Sequence, residues 1–446
     1  MLKTLLVLYL TLTINLLQAQ TDENIIAAFK SINSNVAKVS CSAGKGNLIS
    51  NRAMNIFLSN KVGTYLSGDD DLSLYKNSIT FNTAEGTFTV SHNMRQAKGI
   101  DEPVKSFIFI GAKANVLNGI AAVVNSRNFI NDFGLLVKKT WIRKPSTHFN
   151  KCTPAINSSA GHKQLMDALR ASILHLIEAE IKDRVSVFKN SLSEIDSLEV
   201  PDQRMDEAKN NLQKQFYSGL QEEYSRKFAE LQSETLIETN NYNLVTTHWT
   251  SISAYIPLLC EKFYVANSYL GDFKKEHLYP FAISLSHTRF LESRKYGRFF
   301  LKLNAQLFAN NSYHSKALER INIADYKARG GTDTLHLSQQ NSNEVYVGRY
   351  NNFFTRQLNA AFVYIPPNSH FGLSSSIEQN FGRYKALNGK IGLPIVLIDK
   401  KGDPDITFEF QVRFFDINKK VQPAIKLSDK TSIGFSIGVP FSKIVY

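Results

Sequence analysis

The chain has few cysteines and no long apolar stretch after its N-terminus, and each shortage excludes a class of protein. Its three cysteines, Cys41, Cys152 and Cys260, are too few for a disulfide scaffold and lack the spacing of a zinc-ligand set. The sequence leaves open which two of them would pair in an oxidising compartment. No later stretch approaches the roughly 20 consecutive apolar residues of a membrane-spanning helix. Any membrane segment would therefore have to be a strand.

The N-terminus has the layout of a secretory signal peptide. Lys3 supplies a basic start, an apolar run follows from Leu5 to Leu17, and the small residue Ala19 precedes Gln20. This order predicts export, with cleavage near Ala19. Residues 1–19 are therefore assigned to a signal peptide, and residues 20–74 to an N-terminal segment that precedes the first strand.

Basic residues outnumber acidic ones. The formal net charge is +13, and it becomes +12 once Lys3 leaves with the signal peptide. Such an excess favours an acidic partner, which includes lipid-A phosphates, anionic glycans, nucleic acid and anionic solutes. A solvated surface that merely keeps the protein soluble explains the charge equally well.

Three C-terminal segments, 297–309, 406–414 and 433–441, alternate apolar and polar side chains residue by residue. In the first, Leu301 and Leu303 share one face and Lys302 the other. Side chains change faces at every residue only in a strand. A soluble β-sandwich alternates too, so the length of these runs decides between the two folds. They reach the 9 to 11 residues or so of a tilted membrane strand, whereas soluble strands average about 5 to 6.

Thirteen weaker candidates bring the total to sixteen strands, and 12 to 16 are expected. The weaker candidates are 75–82, 86–94, 104–115, 119–125, 132–142, 244–256, 261–266, 281–290, 343–350, 355–365, 370–381, 389–398 and 420–427. Single-chain bacterial barrels have an even number of strands. The first barrel strands then fall within 75–144 and the remainder within 244–446, with a long polar loop at 310–342.

A helical insert over 145–243 interrupts the strands. Apolar residues recur at helical spacing in two runs, one beginning at Leu165 and the other at Met205, and Pro201 separates them. The sequence predicts a helical hairpin whose apolar stripes form the seam between its two helices. Five candidate strands precede the insert. If strands alternate in direction and both termini lie in the periplasm, the insert falls on the extracellular side, together with the 310–342 loop.

The polar face of the strong strands supplies the candidate site residues. They are Lys302, Asn304 and Gln306 in the first segment, and Glu409, Gln411 and Arg413 in the second. In a barrel this face is the lumen, and its charges either line a pore or pair with one another in a plugged interior. Neither a phosphate-cradling loop nor a Cys/His zinc pattern is present, so no cofactor and no metal are expected.

Ser436, between Gly434 and Gly438, matches the Gly-x-Ser-x-Gly pattern of serine hydrolases. That pattern has catalytic meaning on a strained turn between a strand and a helix. Here it lies inside an alternating run with no helix after it, and small residues on a lumen face explain the glycines. We therefore predict that the protein is not an enzyme.

The three strong segments resemble bacterial outer-membrane β-barrel proteins, in pattern rather than through a specific motif. In that class the last strand ends with an aromatic residue that the barrel-assembly machinery recognises. Phe441 fits the required phase, although the chain continues to Tyr446. The resemblance implies an antiparallel transmembrane barrel, a place in the outer membrane, and contacts with outer-membrane lipid and the assembly machinery.

These observations predict a mainly β protein that acts as a pore or transporter for a small anionic solute. The alternative is a non-conducting barrel that anchors the helical hairpin and loops, which then bind a partner protein or an envelope polysaccharide. The third hypothesis is a barrel lipid hydrolase with Ser436 as its nucleophile. No nucleic-acid partner is expected.

Overall fold

The computed structural model describes most of the chain from residue 26 onward. The described residues are 26–32, 50–62, 75–82, 87–95, 104–115, 124–125, 128–129, 133–149, 171–173, 175–186, 203–239, 242–268, 272, 274–313, 315, 317–330, 335–398 and 404–443. The predicted signal peptide, Cys41 and Cys152 lie outside these ranges. Cys260 is a free cysteine.

Strands dominate the described chain. They are β1 (Tyr75–Asn82), β2 (Thr87–Arg95), β3 (Ser106–Asn115), β4 (Val124–Asn125), β5 (Asn128–Phe129), β6 (Phe133–Ile142), β7 (Ser146–Phe149), β8 (Tyr242–Pro257), β9 (Glu261–Ala266), β10 (Lys274–Leu278), β11 (Ala282–Ser293), β12 (Gly297–Asn311), β13 (Glu319–Gly330), β14 (Leu335–Val347), β15 (Asn352–Ile365), β16 (Leu373–Phe381), β17 (Leu387–Ile398), β18 (Pro404–Phe414) and β19 (Thr431–Lys443). The helical residues are 26–32 of α1, α2 (Asn51–Val62), 171–173 and 175–186 of α3, and α4 (Gln203–Thr239).

Twelve antiparallel strands close into a barrel, in the order β11-β12-β15-β16-β17-β18-β19-β1-β2-β3-β6-β8. Pairing of β8 with β11, from Leu244 opposite Ser293 to Tyr255 opposite Ala282, completes the ring. A closed sheet leaves no edge with unpaired backbone groups. The predicted fold class, a mainly β antiparallel barrel with a helical region, is confirmed.

Four of the sixteen strand candidates are not strands of the barrel. Within 119–125 the structure describes only the two-residue strand β4, which pairs with β5. Segments 261–266 and 343–350 belong to β9 and β14, which form a separate sheet with β10 and β13. Residues 420–427 form bends and one turn that lead into a 3-10 helix, Leu427–Lys430. The other twelve candidates are the twelve barrel strands.

The two ends of the barrel carry different structures. At the end where β1 begins and β19 ends, α2 and α4 pack against the barrel, and we call this the helical end. At the opposite end, which we call the sheet end, the β8–β11 and β12–β15 connections fold into the sheet β10-β9-β14-β13. Val265, Leu278 and Leu318 form the small core of that sheet.

Two sequence predictions are corrected by this arrangement. Four barrel strands precede the helical insert, because 119–125 contributes none, so the insert emerges at the end where β1 begins and not at the opposite end. The 310–342 segment does emerge at the opposite end, but it contains β13 and most of β14 and is not a loop. Each strand takes the chain to the other end of the barrel, so the end at which the insert emerges depends on whether the number of preceding strands is odd or even. One strand too many therefore reversed the prediction.

The helices α3 and α4 pack through the seam that their apolar stripes predicted. Ile177 and Ile181 of α3 are buried against Phe216, Leu220 and Tyr224 of α4. The sequence did not predict the third member of this cluster. Phe29 of α1 is fully buried and meets Phe228 edge to face, with ring centroids 5.1 Å apart. Among the residues that the structure describes, no helix is both long enough and apolar enough to cross a membrane.

A buried ion pair organises the connection between β18 and β19. Asp416, with φ +48° and no solvent exposure, accepts hydrogen bonds from the backbone N–H groups of Lys420, Val421 and Gln422. The Lys430 ammonium lies 2.9 Å from Asp416 Oδ2 and also donates to two backbone carbonyls. Burial would raise the pKa of Asp416, but these hydrogen bonds outweigh burial and hold it below the ordinary 3.8.

The lowered pKa of Asp416 predicts how acid affects stability. Because the folded-state pKa lies below the unfolded one, the carboxylate contributes stability that is fully present above about pH 3.8. This contribution is lost as the pH falls through the folded pKa. We expect the free energy of unfolding, measured with denaturant, to fall less steeply below pH 3.8 in Asp416→Asn than in the wild type. Equal slopes would contradict the prediction.

Candidate functional site

The two faces of the barrel differ in exposure and polarity. Along β12, exposed and buried side chains alternate. Leu301 and Leu303 are 51% and 57% exposed, whereas Phe300 and Lys302, which precede them in turn, are 0% and 7% exposed. In a closed barrel, the exposed set faces outward and the buried set faces inward. The same alternation in β15 and β11 places Gln357, Asn359, Ser284 and Ser286 inside.

The predicted lumen residues lie together inside the barrel. Lys302, Asn304, Gln306 and Arg413 line one interior cavity. Glu409 and Gln411 are buried, with 3% and 0% exposure, and share the inward face of β18 with Arg413. Phe441, the predicted assembly signal, lies in β19 with its backbone opposite Asn77 of β1.

The cavity occupies the half of the lumen nearer the sheet end and has a volume of about 600 Å³. Its wall is rich in hydroxyl and amide groups, and its described aromatic residues are Tyr255, Phe308, Tyr384 and Phe415. Among its described lining residues, four carry positive charge, Lys113, Lys138, Lys302 and Arg413, and only Glu378 carries negative charge. The cavity is therefore polar and electropositive.

The two interior carboxylates of this region are held by polar partners. Glu378 accepts a 2.9 Å hydrogen bond from Asn388 and lies 3.8 Å from the Arg413 guanidinium. Glu409 accepts hydrogen bonds from Ser374 and from Gln411 Nε2. Gly392 leaves the room for Glu409, since a Cβ at that position would collide with its carboxylate. Both carboxylates are thereby fixed in the wall.

Helix α2 closes the helical end of the lumen. Met54, Phe57 and Leu58 are at most 4% exposed and belong to one apolar cluster with inward-facing barrel residues. The barrel residues of this cluster include Phe107, Val245, Trp249, Phe290, Phe300, Val363 and Ile365. The Phe57 and Tyr242 rings meet edge to face at 5.6 Å. We call this cluster of α2 and barrel residues the plug.

Charged groups fasten α2 at both of its ends. Lys61 and Arg298 each lie 3.5 Å from the Glu292 carboxylate of β11, which also accepts a hydrogen bond from the Tyr242 hydroxyl. At the start of α2, Arg52 pairs with Glu222 of α4. Burial lowers the pKa of Lys61, and the nearby Glu292 opposes this change. The helix is thus tied to the barrel wall and to α4.

The exterior is apolar along the middle of the strands and aromatic towards both ends. Ile377, Ile391 and Phe410 are each about half exposed on the outside. Exposed aromatic residues lie near the helical end (Trp141, Tyr296 and Phe371) and near the sheet end (Tyr279, Phe281, Phe354 and Phe381). A monomeric soluble protein rarely exposes a continuous apolar surface of this extent.

Sequence reasoning missed part of the site. Lys113 and Lys138 lie on predicted strands, but the sequence did not assign their faces: Lys113 stands between two alanines, whereas Lys138 is followed directly by Lys139. The plug was missed entirely, because no helix was predicted in 20–74. Ser436 lies in the middle of β19, 1% exposed, with Glu409 and Asn82 as its cross-strand neighbours. It is not on the strained turn that its motif requires.

The described chain holds no group of three or more His, Cys, Asp or Glu residues placed to bind a metal ion. The fold defines a closed, twelve-stranded antiparallel barrel protein with a polar interior cavity and a helical plug. Neither a protein-family model nor a curated protein matches the chain. What can be inferred of its function therefore rests on the geometry.

Proposed function

We propose that the protein is an outer-membrane transporter that admits a small anionic solute to its interior cavity and releases it when the plug moves. The observation that carries this proposal is the electropositive cavity inside a closed barrel. The cavity is wide enough for a solute of monosaccharide size, and the plug separates it from the helical end. The barrel is thus a gated passage and not an open pore.

Placement in a membrane is supported by the outer surface. An apolar band flanked by aromatic residues, around a polar interior, is what a lipid-embedded barrel requires. Apart from the helical insert between β6 and β8, the connections at the helical end are shorter than most of those at the sheet end; the turn 294–296 between β11 and β12 is an example. Since short turns of such barrels face the periplasm and long loops face outward, we infer that the helical end faces the periplasm and the sheet end the exterior.

The preference for an anion follows from the lining charges. Among the described residues, four cations and one carboxylate line the cavity, and a low-dielectric wall strengthens their field on a solute inside. Glucuronate and glucose provide a matched pair of probes, since they share a ring and differ in charge. Proteoliposomes that contain the protein are expected to take up glucuronate faster than glucose. Equal rates, or faster entry of glucose, would contradict the anion preference.

Removing two of the lining charges tests the site itself. We expect Lys302→Gln combined with Arg413→Gln to lower the ratio of glucuronate to glucose uptake by about tenfold, equivalent to ~1.4 kcal/mol. The control, Lys182→Gln with Lys214→Gln, removes two exposed charges from α3 and α4 and should leave the ratio unchanged. If both pairs lowered the ratio equally, the overall charge would be responsible and not the cavity.

A second function is favoured by the plug alone. Side chains with no exposure fill the helical end of the lumen, as expected of a non-conducting barrel that anchors its helices and loops for a partner protein or an envelope polysaccharide. Planar-bilayer recordings distinguish the two functions. A barrel that migrates as a heat-modifiable species but passes neither ions nor glucuronate would favour the anchor.

A further inference from the structure

The outer surface near the helical end carries a compact group of basic side chains on β8, on β11 and directly after the end of β6. Arg289 of β11 lies directly opposite His248 of β8, and the Arg143 backbone N–H donates to the His248 carbonyl at 3.0 Å. In the next row towards the sheet end, His287 lies opposite Thr250, and a 3.0 Å hydrogen bond joins His287 Nδ1 to the Thr250 hydroxyl. We call Arg143, His248, His287 and Arg289 the basic patch.

All four side chains of the basic patch have the outward phase. Val245, Thr247, Trp249 and Ser251 of β8 are buried inside the barrel, so His248 and Thr250 point outward. Arg143, His287 and Arg289 are exposed. The His248 and His287 rings lie 5.3 Å apart, and both guanidinium groups are close enough to act electrostatically on His248. Four groups that are or can become cationic are therefore gathered on one surface.

The described residues of the surrounding strands provide no outward-facing carboxylate to balance them. Glu292 is the only acidic residue in β3, β6, β8, β11 and β12, and it points into the lumen, where Lys61 and Arg298 pair with it. Neither Arg143 nor Arg289 makes an ion pair with any residue that the structure describes. Neighbouring like charges repel, so an anion from outside the chain would relieve the repulsion.

The surroundings of the basic patch identify the kind of anion. Towards the sheet end the next outward residues are Ile252 and Leu285, and Leu303 of β12 lies directly opposite His287; all three are about half exposed. Trp141, which is 45% exposed, lies opposite Thr250 on the other side. An apolar surface that leads to a pair of arginines beside a tryptophan suits an acyl chain that ends in a phosphate, since tryptophan favours the membrane interface and arginine binds phosphate bidentately.

We propose that the basic patch binds the headgroup phosphate of an anionic phospholipid whose acyl chains lie along Ile252, Leu285 and Leu303. The site rests on the proposed membrane location, because only an embedded barrel meets a lipid at this surface. It is separate from the solute cavity, which lies on the other face of the same strands. The lipid fixes the depth and orientation of the barrel in the leaflet at the helical end.

Native mass spectrometry of the purified full-length protein tests the site. In micelles supplemented with dioleoylphosphatidylglycerol or dioleoylphosphatidylcholine, the wild type should retain the anionic lipid about 20-fold more strongly. Arg143→Gln with Arg289→Gln should reduce this preference to less than about twofold. The control Arg356→Gln with Lys385→Gln, which removes two exposed cations near the sheet end, should keep it. Arg289→Lys should keep part of the preference, because charge remains.

Three results would overturn the proposal in different ways. If millimolar inorganic phosphate displaces the lipid, the site binds phosphate itself and not a lipid. If the double variant is heat-modifiable and keeps the full preference, the basic patch is not the site, and the membrane barrel stands. If the protein stays soluble without detergent and retains neither lipid, the proposed membrane location fails and the lipid site with it.

Discussion

Replacing Phe57 and Leu58 with serine is expected to turn a barrel that is closed at its helical end into one that conducts ions in stable steps. Both side chains are almost fully buried in the plug, against inward-facing barrel residues. Truncating a buried Phe or Leu to a small residue costs about 2–5 kcal/mol each, and a serine hydroxyl adds the cost of burying a polar group. The lost free energy weakens the docking of α2 in the lumen, because the backbone hydrogen bonds between the barrel strands are unchanged.

Planar-bilayer recordings and heat modifiability together measure this effect. The wild type should show rare, brief openings, and the double variant should stay open for most of the recording while it still migrates as a folded barrel. Phe216→Ser is the matched control, because Phe216 is equally buried in the seam between α3 and α4 and belongs to a separate cluster. It should stay as closed as the wild type. A folded but silent plug variant would favour the anchor function.

The barrel itself was largely predictable, because alternation along a strand is a local property. Neighbouring residues of a strand point to opposite faces, so Lys302 and Glu409 face inward while their neighbours Leu301 and Phe410 face outward. Strand pairing is not local. Residues 261–266 look like a barrel strand, yet β9 pairs in parallel with β14, which lies about eighty residues later in the chain. The pattern of six residues does not reveal which distant strand they pair with.

The plug was not predictable for a different reason. In α2 the residues from Arg52 to Leu58 are all buried, the polar Arg52 and Asn55 as well as their apolar neighbours, so burial does not follow one apolar stripe. A helix that is enclosed on all sides lacks the 3.6-residue periodicity by which amphipathic helices are recognised. The cavity was half predictable: Lys302 and Arg413 stand on strongly alternating strands, whereas Lys113 and Lys138 meet them only because the sheet closes.

The largest loss of stability outside the plug is expected at Lys430. Its ammonium is buried, at 8% exposure for the residue, and is shared between the Asp416 carboxylate and the carbonyls of Asp416 and Gln422. Lys430→Met keeps the length of the side chain but leaves a buried carboxylate without its cation. Breaking a buried pair in this way costs about 3–5 kcal/mol.

Denaturant unfolding in detergent micelles should show this loss in the Lys430→Met variant, whereas Lys426→Met, an exposed lysine of the same connection, should change stability by less than about 0.5 kcal/mol. The double variant Asp416→Asn with Lys430→Met removes both charges and should recover part of the loss, since no carboxylate is then left unpaired. Recovery would attribute the cost to the stranded charge. If the double variant were as unstable as Lys430→Met, packing of the lysine stem would be responsible, and the connection between β18 and β19 would not depend on its ion pair.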